Sequence, residues 1–368
     1  MSAAEQRFFS GDDRLETVPE LGRAFRMGTP QSLKSSNVQR IREALCRQDA
    51  ASAERLLNYI YPLDSFMTAA QVEWIFKWVD FLAARLDASA CRTVAELAYK
   101  LWRDGLEDNS ARQADIIHTL SAELHPNAVC RVAAHNSESV QGSVGVVRKR
   151  AEETFLDLRS ALSTGRYVEA IEALGEYCRT TRQSHDLLAT YLWALPSATC
   201  SLFGQKVAEE ALEGSFNSMS LQDQMWQSFE SLAPAARAAF LAEHLRFHFT
   251  GPDRDGAVEI IEEPDCYRLV FDPCGSGGAM RRSAACACRM TVFEDASPLT
   301  WGRAREVPAY CSHCASNELT SIKRNGYPLW VTEFDPDASR PCGWTVYKDR
   351  SLIPPRYSSR LTGLSRQN

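Results

Sequence analysis

AVEIIEEPDCYRLVFDPCGSGG, Ala257–Gly278, is where the chain changes character. Upstream, apolar residues recur at steps of three and four. Within the stretch they alternate: Val258 and Ile260, then Tyr267, Leu269 and Phe271, take every second place with polar neighbours between, the period of half-buried strands. Glu263-Pro264-Asp265 supplies the turn between the two runs, and FTGPDRDGA, Phe249–Ala257, just before them carries the Gly, Pro and Asp of a boundary. The reading that follows is an α+β chain: an N-terminal all-α domain of packed helical hairpins, then a small β-rich, cysteine-rich zinc-binding domain.

Working backwards from the boundary, helical period predicts helices at Asn37 to Gln48, Ser52 to Tyr61, Ala70 to Leu86, Cys91 to Asp104, Ala111 to Glu123, Asn127 to His135, Val147 to Leu162, Tyr167 to Thr180, Ser197 to Glu213, Leu221 to Leu232 and Pro234 to Phe249. In QVEWIFKWVDFLAARL, for example, Val72, Ile75, Phe76, Val79, Leu82 and Ala83 form one apolar stripe. Asp108-Asn109-Ser110 offers N-cap side chains, Pro126 suits a first helical turn, and Gly165 suits a helix end. Residues 1–34 mix charge, Gly and Pro without period and read as a flexible arm; 35–249 is the helical domain, with HNSESVQGSVG at 135–145 as a possible internal linker; 250–368 is the cysteine-rich domain. Beyond Phe271, strands are expected at Met290 to Phe293, Leu329 to Phe334 and Gly343 to Tyr347.

Composition narrows the function classes. The chain has 368 residues, 47 acidic against 41 basic side chains and a net charge of -6, opposite in sign to the footprint of a protein that grips phosphate backbones. Nucleic acid is therefore disfavoured as a partner. No run reaches the roughly 18 apolar residues of a membrane helix, and acidic residues stand where a signal peptide would be apolar, so a cytoplasmic chain with reduced thiols is expected. A small-molecule substrate or a protein partner remains.

Two short stretches resemble known families. LSTGRYVEAIEALGEY is similar to the turn between the helices of a tetratricopeptide-type repeat, with Gly165, Tyr167, Ala170 and Ile171 at matching places, and implies a helical hairpin; no second copy occurs at a 34-residue period. DPCGSGG resembles the glycine loop of S-adenosylmethionine-dependent nucleic-acid methyltransferases, which implies a parallel βαβ sheet around the cofactor. That family also needs a further set of alternating strands and helices and a Pro-Pro-aromatic signature. Here only 90 residues follow Gly278, and Pro354-Pro355 precedes Arg356.

Metal is the other reading of the same turn. Seven of the twelve cysteines, Cys266, Cys274, Cys286, Cys288, Cys311, Cys314 and Cys342, fall within 77 residues. Cys311-Ser-His-Cys314 has the spacing that brings two thiolates from one turn to a tetrahedral ion, and Cys274 and Cys342 sit on turns shaped by Gly275 and by Pro341 and Gly343. A Zn2+ site of Cys274, Cys311, Cys314 and Cys342 is the economical set, with Cys286, Cys288 and His313 as competing ligands. His244 and His248, four residues apart in EHLRFHF, share a helix face and are able to chelate one ion, without the His-Glu-x-x-His pattern of zincin peptidases.

Two function classes follow. In the first, the protein is an enzyme, a metal- or cysteine-dependent hydrolase or transferase of small-molecule metabolism, working in a cleft between the helical and cysteine-rich domains. Its catalytic candidates are Cys274 as nucleophile beside free glycine amides, His313 or His244 as base, and Arg281, with Asp272, Arg282 and Trp301 near them. In the second, the chain is a non-catalytic, zinc-stabilised module for protein interaction. The methyltransferase is a third alternative.

Overall fold

A computed structural model describes residues 8–18, 23–106, 114–133, 137–219, 226–283 and 290–362. The chain mixes helix and sheet, is 65% helical, and has only small antiparallel sheets. It divides into two compact units. One comprises Asn37–Met219 with Ser283–Met290; the other comprises Met1–Ser36, Ser220–Arg282 and Thr291–Asn368.

The first unit is helical. Its helices are Asn37–Cys46, Ala50–Arg85, Ala88–Asp104, Ala114–Glu123, Pro126–Ala133, Ser137–Ser163, Tyr167–Phe203 and Gln205–Asn217. Several are longer than apolar period predicts. The helices expected at Ser52 to Tyr61 and Ala70 to Leu86 are one, Ala50–Arg85, running through Pro62. Proline removes one backbone hydrogen bond, but the burial of Leu57 and Ile60 before it and of Met67 and Val72 after it carries the helix across. Asp49 caps its start, accepting from the Ser52 amide at 3.0 Å. Tyr167–Phe203 likewise continues past Thr180 and through Pro196, and every residue from Leu187 to Thr199 in it is buried. A helix buried on all sides shows no amphipathic period, which is why its middle was not predicted. It ends at Gly204, whose φ of 84° lies in the left-handed region that favours glycine, rather than being interrupted before Ser197. Its polar contacts are satisfied from neighbouring helices: Trp78 Nε1 donates to Thr199 Oγ1 at 3.2 Å, and Trp102 Nε1 to the Leu187 carbonyl at 3.0 Å. Gly165, with φ 71°, turns Ser137–Ser163 into Tyr167–Phe203, the helical hairpin expected there. Residues 137–145 of the expected linker belong to the helix Ser137–Ser163, while 135 and 136 lie outside the described residues, as does Asp108-Asn109-Ser110.

The second unit is built on sheet. β3 (Glu259–Glu262), β4 (Cys266–Phe271), β5 (Val331–Glu333) and β6 (Cys342–Tyr347) form one antiparallel sheet in the order β3-β4-β6-β5. β4 pairs antiparallel on both sides, so the strand leading into DPCGSGG is not part of a parallel βαβ sheet. This corrects the structural premise of the methyltransferase alternative. The strand expected at Met290 to Phe293 is reduced to a single bridge between Val292 and Pro308.

Residues 14–27, expected in a flexible arm, form a hairpin of β1 (Arg14–Val18) and β2 (Arg23–Met27). The reason is burial: Phe8, Val18, Phe25 and Met27 join one core with Tyr267, Leu269 and Val346. Arg26 is 2% exposed and bonds both carboxylate oxygens of Asp13, at 2.9 and 2.6 Å. The helix Pro234–Phe247, assigned by period to the helical domain, contributes Ala238, Leu241 and Leu245 to this same core. Of the helix expected at Leu221 to Leu232, residues 226–230 are helical and 221–225 lie outside the described residues. No helix among the described residues is long and apolar enough to cross a membrane.

Candidate functional site

All the candidate residues that the structure describes sit in the sheet-bearing unit. Cys274 follows β4 on the glycine turn. Cys342 opens β6 opposite Phe271, three residues before Cys274. Cys311 ends a short turn, Ala309–Cys311, that runs directly into the helix Ser312–Asn325, so His313 and Cys314 lie in that helix's first turn.

The glycines of the opening motif have specific neighbours. A Cβ on Gly275 would meet the His248 carbonyl oxygen at 1.4 Å, one on Gly277 would meet Cys311 Sγ at 2.7 Å, and one on Gly278 would meet the Cys274 Cβ at 3.0 Å. The run is therefore glycine because the loop is pressed against the end of the helix Pro234–Phe247 and against two of the thiols. Backbone contacts fix it further. The Ala279 amide donates to the Cys274 carbonyl at 2.8 Å, and the Gly251 amide donates to the Pro273 carbonyl at 3.2 Å.

The four thiols are neighbours in an electrostatic sense. Burial pushes the Cys314 thiol well up, and Cys274, Cys311 and Cys342 around it push the same way. Cys311 is likewise raised by burial, with Arg281 opposing and Cys342 and Cys274 adding to the rise. Cys342 is raised to about 11 by burial and by Cys274. All four are free thiols. Burial and thiolate repulsion thus favour the protonated form of Cys311, Cys314 and Cys342, and a divalent cation among these sulfurs would stabilise their thiolates by displacing protons.

Beside them runs a half-buried polar network. His244 and His248, one turn apart at the end of the helix Pro234–Phe247, have Nε2 atoms 3.2 Å apart and rings at 69°. His248 Nδ1 lies 2.7 Å from Ser276 Oγ, inside the glycine motif. The Tyr310 side chain also bonds Ser276. His313 Nδ1 donates to the Tyr310 carbonyl at 2.6 Å, which leaves its Nε2 as acceptor, 3.5 Å from Cys314 Sγ. Burial lowers both His244 and His313 to about 4, and His313 adds to the depression at His244. These imidazoles are neutral at neutral pH, the form that binds metal or accepts a proton.

Other candidates have structural partners. Arg281 donates to the carbonyls of Asp335, at 2.9 Å, and Pro336, and its cation lies 4.9 Å over the Phe334 ring. Arg282 binds Asp272 and the carbonyls of Ala338 and Ser339. Together they tie down the loop that leads into Cys342. Trp301 is buried, stacks on Phe334 and donates to Glu318 at 3.2 Å. Glu318 is fully buried, bridged to Arg360, and extends from the same helix as His313. Cys266 lies at the other end of β4 from Cys274, with burial raising its thiol to about 11. Cys286 and Cys288 lie outside the described residues.

The sequence pattern named the thiols and three of the histidines but missed Ser276 and Tyr310. Their signal was present in part, since Ser276 stands in the middle of the glycine run. Among the described residues, no three or more His, Cys, Asp or Glu side chains close on one point tightly enough to hold an ion. Comparison with family models, with curated proteins and with solved structures finds no match to this chain.

Proposed function

We propose that the sheet-bearing unit is a zinc module with Cys274, Cys311, Cys314 and Cys342 as ligands, and that the protein is an enzyme of small-molecule metabolism acting by hydrolysis or group transfer beside that centre. The observation that carries the metal is that four cysteines from three separate chain segments are mutual electrostatic neighbours, free of disulfides. The glycines that make way for them support the same reading. A closed four-thiolate set of this kind is structural rather than catalytic.

The enzyme half rests on the network of His248, Ser276, Tyr310, His313 and Cys314. In it, the His248 imidazole bonds a hydroxyl and the neutral His313 imidazole approaches a thiol, the arrangement from which a proton is taken and a nucleophile activated. Arg281, committed to backbone carbonyls, is better cast as the residue that positions the Cys342 loop. Elemental analysis of purified protein tests the metal: at least about one zinc per chain is expected, and its absence would sink the reading. Hydrolysis of a panel of small esters, amides and thioesters tests the chemistry. Activity that survives both Ser276→Ala and Cys314→Ser in folded protein would remove this network from it.

A further inference from the structure

The closest contact between potential ligands in this network is one the thiol centre does not use. His244 Nε2 and His248 Nε2 are 3.2 Å apart. In a tetrahedral zinc site with Zn–N of about 2.0–2.1 Å, two ligating nitrogens are separated by about 3.3–3.4 Å, the edge of the tetrahedron. The pair is thus spaced as two ligands of one ion, with His244 in the last turn of the helix Pro234–Phe247 and His248 its C-cap residue.

Its surroundings fit the same role. A ligating histidine commonly has its outer nitrogen held by a hydrogen-bonding partner that sets ring orientation, and Ser276 holds His248 Nδ1 at 2.7 Å. In the tautomer whose Nδ1 donates to Ser276, His248 turns its Nε2 lone pair toward His244. His244 is in turn fixed by Trp344, whose ring stacks on it at 6.2 Å and 21°. Both imidazoles are half-buried rather than fully enclosed in the core.

We propose that His244 and His248 form a second metal position, apart from the four thiols, which takes a divalent ion of the zinc, cobalt or nickel kind through two Nε2 atoms. The remaining coordination positions are left to water or to an oxygen- or nitrogen-bearing substrate. Imidazole suits these ions, and a site with protein ligands on one side only is of the open, catalytic type. The position does not depend on the thiol centre.

The test is zinc titration of the metal-free full chain by calorimetry, with cobalt absorption alongside. Wild type is expected to bind one equivalent that gives no thiolate-to-cobalt charge-transfer band and that persists in Cys314→Ser. His244→Gln and His248→Gln are each expected to lose that equivalent. Their loss of affinity should exceed the roughly 10- to 100-fold that Ser276→Ala, which removes only an outer partner, is expected to cause. Unchanged stoichiometry and Kd in both histidine variants would overturn the proposal, as would loss of all binding in Cys314→Ser. If a histidine variant does not fold, nitrogen-15 NMR of histidine-labelled wild type decides: two Nε2 resonances must shift on zinc addition, and their staying in place overturns it.

Discussion

A Cβ atom on Gly275 would lie 1.4 Å from the carbonyl oxygen of His248. That one relationship joins the two segments from which the candidate site is built. The helix ending in His248 and the turn bearing Cys274 meet backbone to backbone, so the imidazoles and the thiols are positioned by the same contact.

Gly275→Ala is therefore expected to destabilise the sheet-bearing unit at the upper end of the about 1–3 kcal/mol typical of overpacking, because backbone rather than a flexible side chain must give way. Gly175→Ala is the matched control. It lies within the helix Tyr167–Phe203, with nothing within 4 Å of its added methyl, and is expected to be neutral or stabilising by about 0.5–1 kcal/mol. Thermal unfolding midpoints of the two variants should move in opposite directions or differ by at least this margin. Equal midpoints would show that the glycine run is not held as described.

Zinc binding at the thiols should depend steeply on pH. Cys311, Cys314 and Cys342 are all raised above the ordinary thiol range by burial, so at neutral pH they hold protons that a metal must displace. Affinity is expected to fall as pH falls, and calorimetry in buffers of different ionisation enthalpy should count protons released per zinc. Binding without proton release would contradict a thiolate site.

A third expectation concerns the buried pair Glu243 and Arg246, 3% and 4% exposed, joined at 3.0 Å. Arg246 also donates to the carbonyls of Leu33, Ser35 and Gly256, fastening the N-terminal segment beneath the helix. Glu243→Gln leaves the guanidinium charge buried without its counter-ion and is expected to cost about 3–5 kcal/mol. Chemical unfolding of the variant measures this, and a loss below about 1 kcal/mol would show that the carbonyls suffice.

How much of this was legible in the sequence varies by element. β3 and β4 could be read because one face of each is buried and alternation survives; their turn at Glu263-Pro264-Asp265 has an unambiguous composition. The middle of Tyr167–Phe203 could not, since burial on all sides erases period, and the N-terminal hairpin could not, since its order comes from Phe25 and Met27 packing against residues far along the chain. At the site, the spacing Cys311-x-x-Cys314 pointed to neighbouring thiols. It carried no information on Tyr310 and Ser276, whose part arises from segments that meet only after folding.

The last expectation belongs to the helical unit. Asp64, half-buried beside Pro62, accepts a hydrogen bond from the Tyr177 hydroxyl at 2.6 Å, yet burial outweighs that bond and pushes its carboxyl up to about 7. An acid raised in the folded state binds its proton more tightly there than in the unfolded chain, where it titrates near 4. Between about pH 4 and about pH 7 the folded state thus holds more protons, so stability is highest on the acid side and declines as pH rises through that window, then levels off. Solvent reaching the partly exposed side chain keeps the effect to about 1–3 kcal/mol. Asp64→Asn removes the titration while its amide oxygen can still accept from Tyr177. Urea unfolding at about pH 5 and about pH 8 should therefore show this part of the decline in wild type and not in the variant; an identical pH dependence in both would mean that Asp64 ionises in the fold as it does in water.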